Sequence, residues 1–441
     1  MLDYSPLPWT KDLLPEDHQY LTFLKKVFRH ELRKNGFKRI STAILERQEI
    51  IDEVFWEDQE TIYKTNDGCL RSHSTVGILR TYLEHNLNEE IQPVYYYFMD
   101  QYFNVDDNGK YGEMERFGWE IIGENDPILD AILIYIIYSI LNKIGLDETY
   151  KIRINSIWVE KEKVKYREEL ISFYENKKHL LSENSLELLE KDPMLLLLSE
   201  EEDEKILASQ APGMTSKFLK KDSKAHYLKF KEYLDLLEIP YTEDHTLVGR
   251  FSYNTHTIWD FKNIETDEQI ALWARHNSLS TILGTPKEIP ATGFFANPYI
   301  IIDMLKKQNT KLKNKDCIDL YFVQLGDDAK KVVLPISLQA REAGINTVVS
   351  LGTPSMKEQM LKANRSGSKY VVMVGLMEAR NGIFQVRDQE AGTQEEVKKE
   401  DIIQYIIEKI GSDRLDFYCP AKDLVTEAIV ETIDTNSSEI K

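Results

Sequence analysis

Apolar residues recur at intervals of three and four between positions 16 and 35: Tyr20, Phe23, Leu24, Val27, Phe28 and Leu32. That spacing gathers them on one side of a helix, with Lys25, Lys26, Arg29, Arg33 and Lys34 on the other. Gly36 is a stop signal, and "GFKRIST" after it reads as a strand. A second helix is expected over 72–86, then two strands over 93–123 around the turn "DDNG" at 106–109. The run "AILIYIIYSIL" (131–141) is apolar on almost every side but too short to span a bilayer, so it predicts a buried helix over 127–144. A short strand follows near "KIRINSIW".

From 158 to 245 the chain is charged, helical in pattern and poor in β-branched residues, which marks a helical insertion. Its acidic run "SEEEDEKILASQ" reads as a solvated face. The strand pattern resumes at 247 with "LVGRFSYNTHTIWDF", where Arg250, Tyr253, Asn254, Thr255 and His256 crowd together like a pocket wall. After a linker, "KLKNK" at 311–315, strands and helices alternate with short Gly turns, which argues a separate α/β domain with a mixed sheet. The expected division is therefore 1–157 and 246–310 as two parts of one domain, 158–245 as the insertion, 317–410 as the second domain and 411–441 as a polar tail.

At 441 residues more than one domain is expected. The net charge of -19 excludes a general attraction to nucleic-acid phosphate. Residues 317–410 are nearly neutral, so a local RNA contact there stays open. Cys69, Cys317 and Cys419 lie far apart with no CxxC spacing, so neither a zinc site nor a disulfide framework is indicated. The acidic, proline-bearing start is not a signal peptide, and a cytoplasmic protein without membrane attachment is expected.

Four blocks in order resemble the histidyl-tRNA synthetase family of class II aminoacyl-tRNA synthetases: "PWTKDLLPEDHQY", "NSLELLEKDPMLLLL", "LVGRFSYNTHTIWDF" and "AREAGINTVVSL" with the segments after it. The resemblance covers about residues 6 to 410. It implies an α+β fold: an antiparallel class II sheet with helices, a helical insertion and a C-terminal α/β anticodon-binding-like domain. It also implies a homodimer that makes histidyl-adenylate from histidine and ATP.

That reaction joins two anions, so the site must aim fixed positive charge at the α-phosphate and hold the substrate ammonium with a carboxylate. Position by position, the implied residues are exchanged. The family's Arg-Pro-Glu-Gly-Thr becomes "RSHST", which keeps Arg71 and puts His73 where the ammonium-binding Glu belongs. Tyr102 stands for the phosphate-gripping Arg of the motif 2 strand, and Asn104 for its Glu. The motif 2 loop keeps Lys110 and Tyr111. Arg116 replaces a histidine-contacting Gln, while Glu120 and Gly123 are retained. Gly249 occupies the catalytic Arg position with Arg250 one residue along, on the opposite face if the segment is a strand. Tyr253 is kept, and Asn254 replaces a second Tyr beside Thr255. In "WARHN" (273–277) Trp273 and Ala274 replace glycines, and a Trp there is expected to fill substrate space; only Arg275 persists. Ile300 stands for the motif 3 Arg and Ala43 for the motif 1 Pro.

Losing one preorganised charge contact typically costs about 3–4 kcal/mol of transition-state stabilisation. Several such losses imply a scaffold with no catalytic residues, no metal and no cofactor, its pocket a remnant. The function expected is a dimeric binding or regulatory module whose residues 317–410 meet tRNA, another RNA or a protein. Two alternatives are an active, divergent histidine–tRNA ligase using ATP and Mg, and a relative of the regulatory subunit of ATP phosphoribosyltransferase, which generally lacks the anticodon domain.

Overall fold

The longest strands form where the alternation is clearest. Val94–Val105 and Tyr111–Ile122 pair antiparallel along their whole length, from Val94 opposite Ile122 to Val105 opposite Tyr111. Side chains alternate between faces, so Tyr97, Met99, Phe117, Trp119 and Ile121 go to one side and Phe98, Tyr102, Met114, Arg116 and Glu120 to the other. This hairpin belongs to a computed structural model that describes residues 4–6, 10–55, 62–105, 111–157, 160–199, 201–213, 220–249, 251–310, 312, 318–350, 355–412 and 415. The expected "DDNG" turn, most of "KLKNK" and nearly all of the tail lie outside those residues.

The chain divides into two units, Met1–Leu312 and Lys313–Lys441. In the first, the described residues form an eight-stranded sheet in the order Lys38–Arg39, Val94–Val105, Tyr111–Ile122, Ala291–Ala296, Gln269–Arg275, Thr255–Asn263, Tyr150–Ser156 and Thr242–Glu243. Both edge pairings are parallel and the interior ones antiparallel. One face packs on the helices Pro15–Lys34, Ile128–Lys143, Lys221–Leu236 and Pro298–Lys307. Leu24, Phe28 and Leu32 are fully buried there, as are Ile134, Ile137 and Ile140 of the apolar helix. The other face carries two separate covers. The helix Ser74–Glu84 brings Val76, Leu79 and Tyr82 against Tyr96 and Phe98. The insertion brings Tyr166, Leu170 and Leu197 against Ile258. Among the described residues no helix is long and apolar enough to cross a membrane.

The strand expected from 247 begins at Thr255 instead. Residues 251–254 turn: the Asn254 side chain accepts from the Phe251 N–H at 3.2 Å. The buried Lys163 ammonium donates to the Ser252 and Asn254 carbonyls at 3.2 and 2.9 Å. An amide and an ammonium that satisfy the backbone locally outcompete the sheet ladder for those groups.

The second unit holds a five-stranded mixed sheet, in the order Thr347–Val349, Leu320–Gln324, Tyr370–Val374, Ile383–Asp388 and Gln394–Lys398. The first three strands are parallel, Ile383–Asp388 pairs antiparallel to Tyr370–Val374, and Gln394–Lys398 pairs antiparallel to Ile383–Asp388. Phe322, Val372 and Phe384 face one apolar core with Val333 and Ile406, while Val323, Val371 and Ala363 make a second.

Candidate functional site

Between the two covers the sheet is open and forms the floor of a cavity of about 980 Å³. Ile258, Leu272, Ala274, Gly293 and Phe295 come from the strands. His73 and Ser74 come from the start of the Ser74–Glu84 helix, and Phe251, Tyr253 and Asn254 from the loop pinned by Lys163.

Cations on the wall are almost all spent. Arg153 is gripped by Asp260 at 2.5 Å and Asp244 at 2.8 Å. Lys262 pairs with Asp267 at 2.7 Å, and Lys205 with Glu202 at 3.3 Å. Arg116 differs. It is buried, and no carboxylate among the described residues pairs with it. Its Nε meets the Met114 sulfur at 3.3 Å and its Nη1 the Ser72 carbonyl at 3.4 Å, both weak. Its guanidinium lies 4.3 Å from the Phe295 ring centroid and 5.6 Å from that of Tyr102. Burial, eased by Tyr102 and Tyr253, pulls its pKa down to about 10. Asp100, directly across the hairpin, turns instead to Arg39 at 2.8 Å and Arg71 at 3.7 Å.

His73 Nδ1 lies 3.5 Å from Arg116 Nη1. Its ring stacks on Phe55 and meets Phe251 edge-on, at 5.2 and 4.8 Å between centroids. Arg71 is turned away into the backbone, donating to the Gln101 and Thr42 carbonyls at 2.8 and 2.9 Å. Tyr102 is buried between Arg71 and Arg116, and desolvation pushes its phenol well above the ordinary range. Glu120 is on the cavity face of the sheet but does not line the cavity. Its Oε1 accepts from Thr75 at 2.7 Å, and its Oε2 lies 3.2 Å from His276 Nε2. A Cβ at Gly293, its cross-strand partner, would lie 2.0 Å from Oε2, so only glycine leaves room for that carboxylate.

Thr255 and Arg275 are paired across adjacent strands but do not line the cavity. Arg275 is fully buried and donates to Asp130 at 2.9 Å, to the Asn125 side chain at 3.0 Å and to the Asp126 carbonyl at 2.8 Å. Asp130 also receives the Thr257 hydroxyl at 2.6 Å and faces His226 at 3.2 Å. His226 stacks on His256, which sits at φ 56 where the pairing register shifts. Burial, then His226 and Arg275, hold the His256 imidazole neutral down to about 4, against the pull of Asp130.

Unfolding frees that imidazole to titrate near its ordinary 6.5. Its contribution is intact above that value and is lost as the pH falls toward 4, by up to about 1.4 kcal/mol per pH unit. Asn tolerates positive φ. In His256→Asn, urea midpoints measured across that window should fall less steeply than in wild type; parallel curves would remove the assignment.

Residues 319–409 match the anticodon binding domain family. Histidine–tRNA ligase from Halothermothrix orenii is 29% identical over 408 residues, 90% of this chain and 97% of that protein. The Thermotoga petrophila enzyme of the same name is 29% identical over 93% of this chain and 100% of its own length. The apo histidyl-tRNA synthetase structure from S. aureus is 26% identical, covers 92% of this chain and 100% of that one, and superposes with a TM-score of 0.74. Along nearly its whole length this chain is similar to the histidyl-tRNA synthetase family. A Bacillus halodurans structure titled as an ATP phosphoribosyltransferase regulatory subunit/histidyl-tRNA synthetase shares the fold, with a TM-score of 0.62 at 19% identity.

Of the positions matched to the family's pocket, the structure brings His73, Asn104, Arg116, Gly249, Tyr253 and Asn254 to the cavity wall. Arg71 and Tyr102 support the wall from behind, Glu120 does not line it, and Thr255 and Arg275 are elsewhere. Lys110 and Arg250 lie outside the described residues. Residues 247–249 and 251–254 are not strand, so face alternation does not decide where Arg250 points. Trp273 borders the cavity, but its ring does not fill it: the indole stacks on Trp259 at 5.5 Å in the core beneath the sheet. Three contributors carried no clear sequence signal. Lys163 looked like one more charge in a charged helix, Phe295 like ordinary strand filler, and His276 had no role assigned within "WARHN".

Proposed function

We propose that this synthetase-family chain no longer makes an adenylate and works as a dimeric, non-catalytic binding or regulatory module, engaging tRNA through residues 317–410. One observation carries the reading. Of the described cations on the cavity wall, Arg153 and Lys262 are held by carboxylates and Lys205 shares an exposed pair with Glu202, which leaves Arg116 as the one buried cation without a carboxylate partner. A triphosphate undergoing substitution needs several fixed positive charges. His73, against the Arg116 guanidinium, is a poor partner for a substrate ammonium. The anticodon binding domain match supports RNA as the partner, and its presence weighs against a phosphoribosyltransferase regulatory subunit.

Pyrophosphate exchange with ATP and histidine is the test. The purified chain should show no exchange above a blank, while a filter-binding assay retains tRNA. Exchange above the blank, or charging of histidine tRNA, overturns the reading in favour of an active histidine–tRNA ligase using ATP and Mg.

A further inference from the structure

Arg116 poses a physical problem that the fold leaves unsolved. A guanidinium has five donors in a plane, and a desolvated, unpaired one is costly. Here Nε and Nη1 have only long, weak partners, and Nη2 has none among the described residues. The aromatic rings of Phe295 and Tyr102 lie against the group, which lowers the cost of burial without supplying a counter-charge. The side chain nonetheless lines an open cavity.

We infer that this cavity is a receptor site for a small aromatic monocarboxylate lacking an amino group, its carboxylate held by Arg116. This rests on the non-catalytic reading above and gives that site its ligand. The charge balance selects one anionic group, because one unpaired guanidinium neutralises one carboxylate, in the bidentate geometry that fork favours. The walls favour a flat ring, because the aromatic side chains of His73, Phe251 and Tyr253 and the thioether of Met114 line the same space. A free α-amino group is disfavoured. The His73 imidazole lies 3.5 Å from Arg116, and of the wall carboxylates Asp244 and Asp267 are already paired with Arg153 and Lys262 while Glu268 accepts the Thr266 hydroxyl at 2.8 Å.

Calorimetric titration of the full chain with benzoate and imidazole-4-acetate, and with benzamide as the neutral twin, tests this. At least one acid should bind saturably at one site, and benzamide about tenfold or more weaker than benzoate. Arg116→Gln should lose about tenfold or more of the acid affinity, and Arg116→Lys should fall between. Because Arg116→Gln removes an unpaired buried charge, it should melt no lower than wild type. Should it fail to fold, the contrast between acid and amide on the wild-type protein still decides. No binding of either acid at millimolar concentration, equal binding of acid and amide, or undiminished acid binding by Arg116→Gln overturns the inference and leaves the non-catalytic reading standing. Pyrophosphate exchange sinks that reading instead, whatever the acids do.

Discussion

Replacing Trp273 with glycine, the residue that the family resemblance puts there, should destabilise the first unit by about 4–6 kcal/mol. Emptying a large aromatic site typically costs about 3–5 kcal/mol, and glycine inside a strand adds about 0.5–1 kcal/mol. The site is tightly packed. Trp273 is 1% exposed and stacks on Trp259, which packs in turn on Phe294, and Phe294 on Trp119. These rings occupy the helix side of the sheet, opposite the cavity floor of Ala274, Leu272 and Gly293. The glycine therefore opens a hole in the core without enlarging the pocket, and pyrophosphate exchange should stay absent. Urea unfolding followed by tryptophan fluorescence measures the loss in the right place, because all six tryptophans precede residue 312. Such a loss is a large share of the roughly 5–15 kcal/mol of a typical domain. A loss under about 2 kcal/mol, or binding of histidine by the variant, would place the indole in the pocket after all.

The same residue shows what the sequence makes legible and what it does not. Alternation and three-to-four spacing located the helix Pro15–Lys34, the hairpin, the apolar helix Ile128–Lys143 and the mixed sheet of the second unit, because burial of one face imposes those periods. Parity within the hairpin also determines that Tyr102, Arg116 and Glu120 share a face. Parity failed at 247–254, where the Asn254 amide and the Lys163 ammonium hold a turn. Lys163 is about ninety residues away in sequence, and no local pattern encodes it. Trp273 was matched to the right position but given the wrong direction. A family correspondence fixes a place along a strand; the face follows from the register with Trp259 and Phe294. The partners of Arg153 and Arg275 were invisible for a related reason: ion pairs between distant segments leave no period to detect.

Arg275→Met should cost about 3–5 kcal/mol, the usual effect of removing one partner of a buried ion pair. Both Arg275 and Asp130 are wholly buried, so the variant leaves a carboxylate without its main counter-charge. In the native protein burial pushes the Asp130 carboxyl up, but Arg275 and His226 outweigh it and hold it below its ordinary value. With the guanidinium gone, burial prevails and the carboxyl rises above its unfolded value. The folded variant then binds a proton that the unfolded chain does not, so its deficit relative to wild type should narrow as the pH is lowered from about 7 to about 5. Adding Asp130→Asn, which keeps an acceptor for Thr257 and removes the stranded charge, should restore more than half of the loss. A double-mutant cycle from urea denaturation reads this as a large coupling between the two sites. If Arg275→Met costs less than about 1 kcal/mol, the guanidinium is free for a ligand, and the active-ligase reading gains the cation it lacks. Arg275 is the one residue of "WARHN" that the family correspondence retains, and retention alone is no sign of catalysis. A side chain that anchors the Ile128–Lys143 helix to the sheet is needed for folding whether or not any chemistry survives above it.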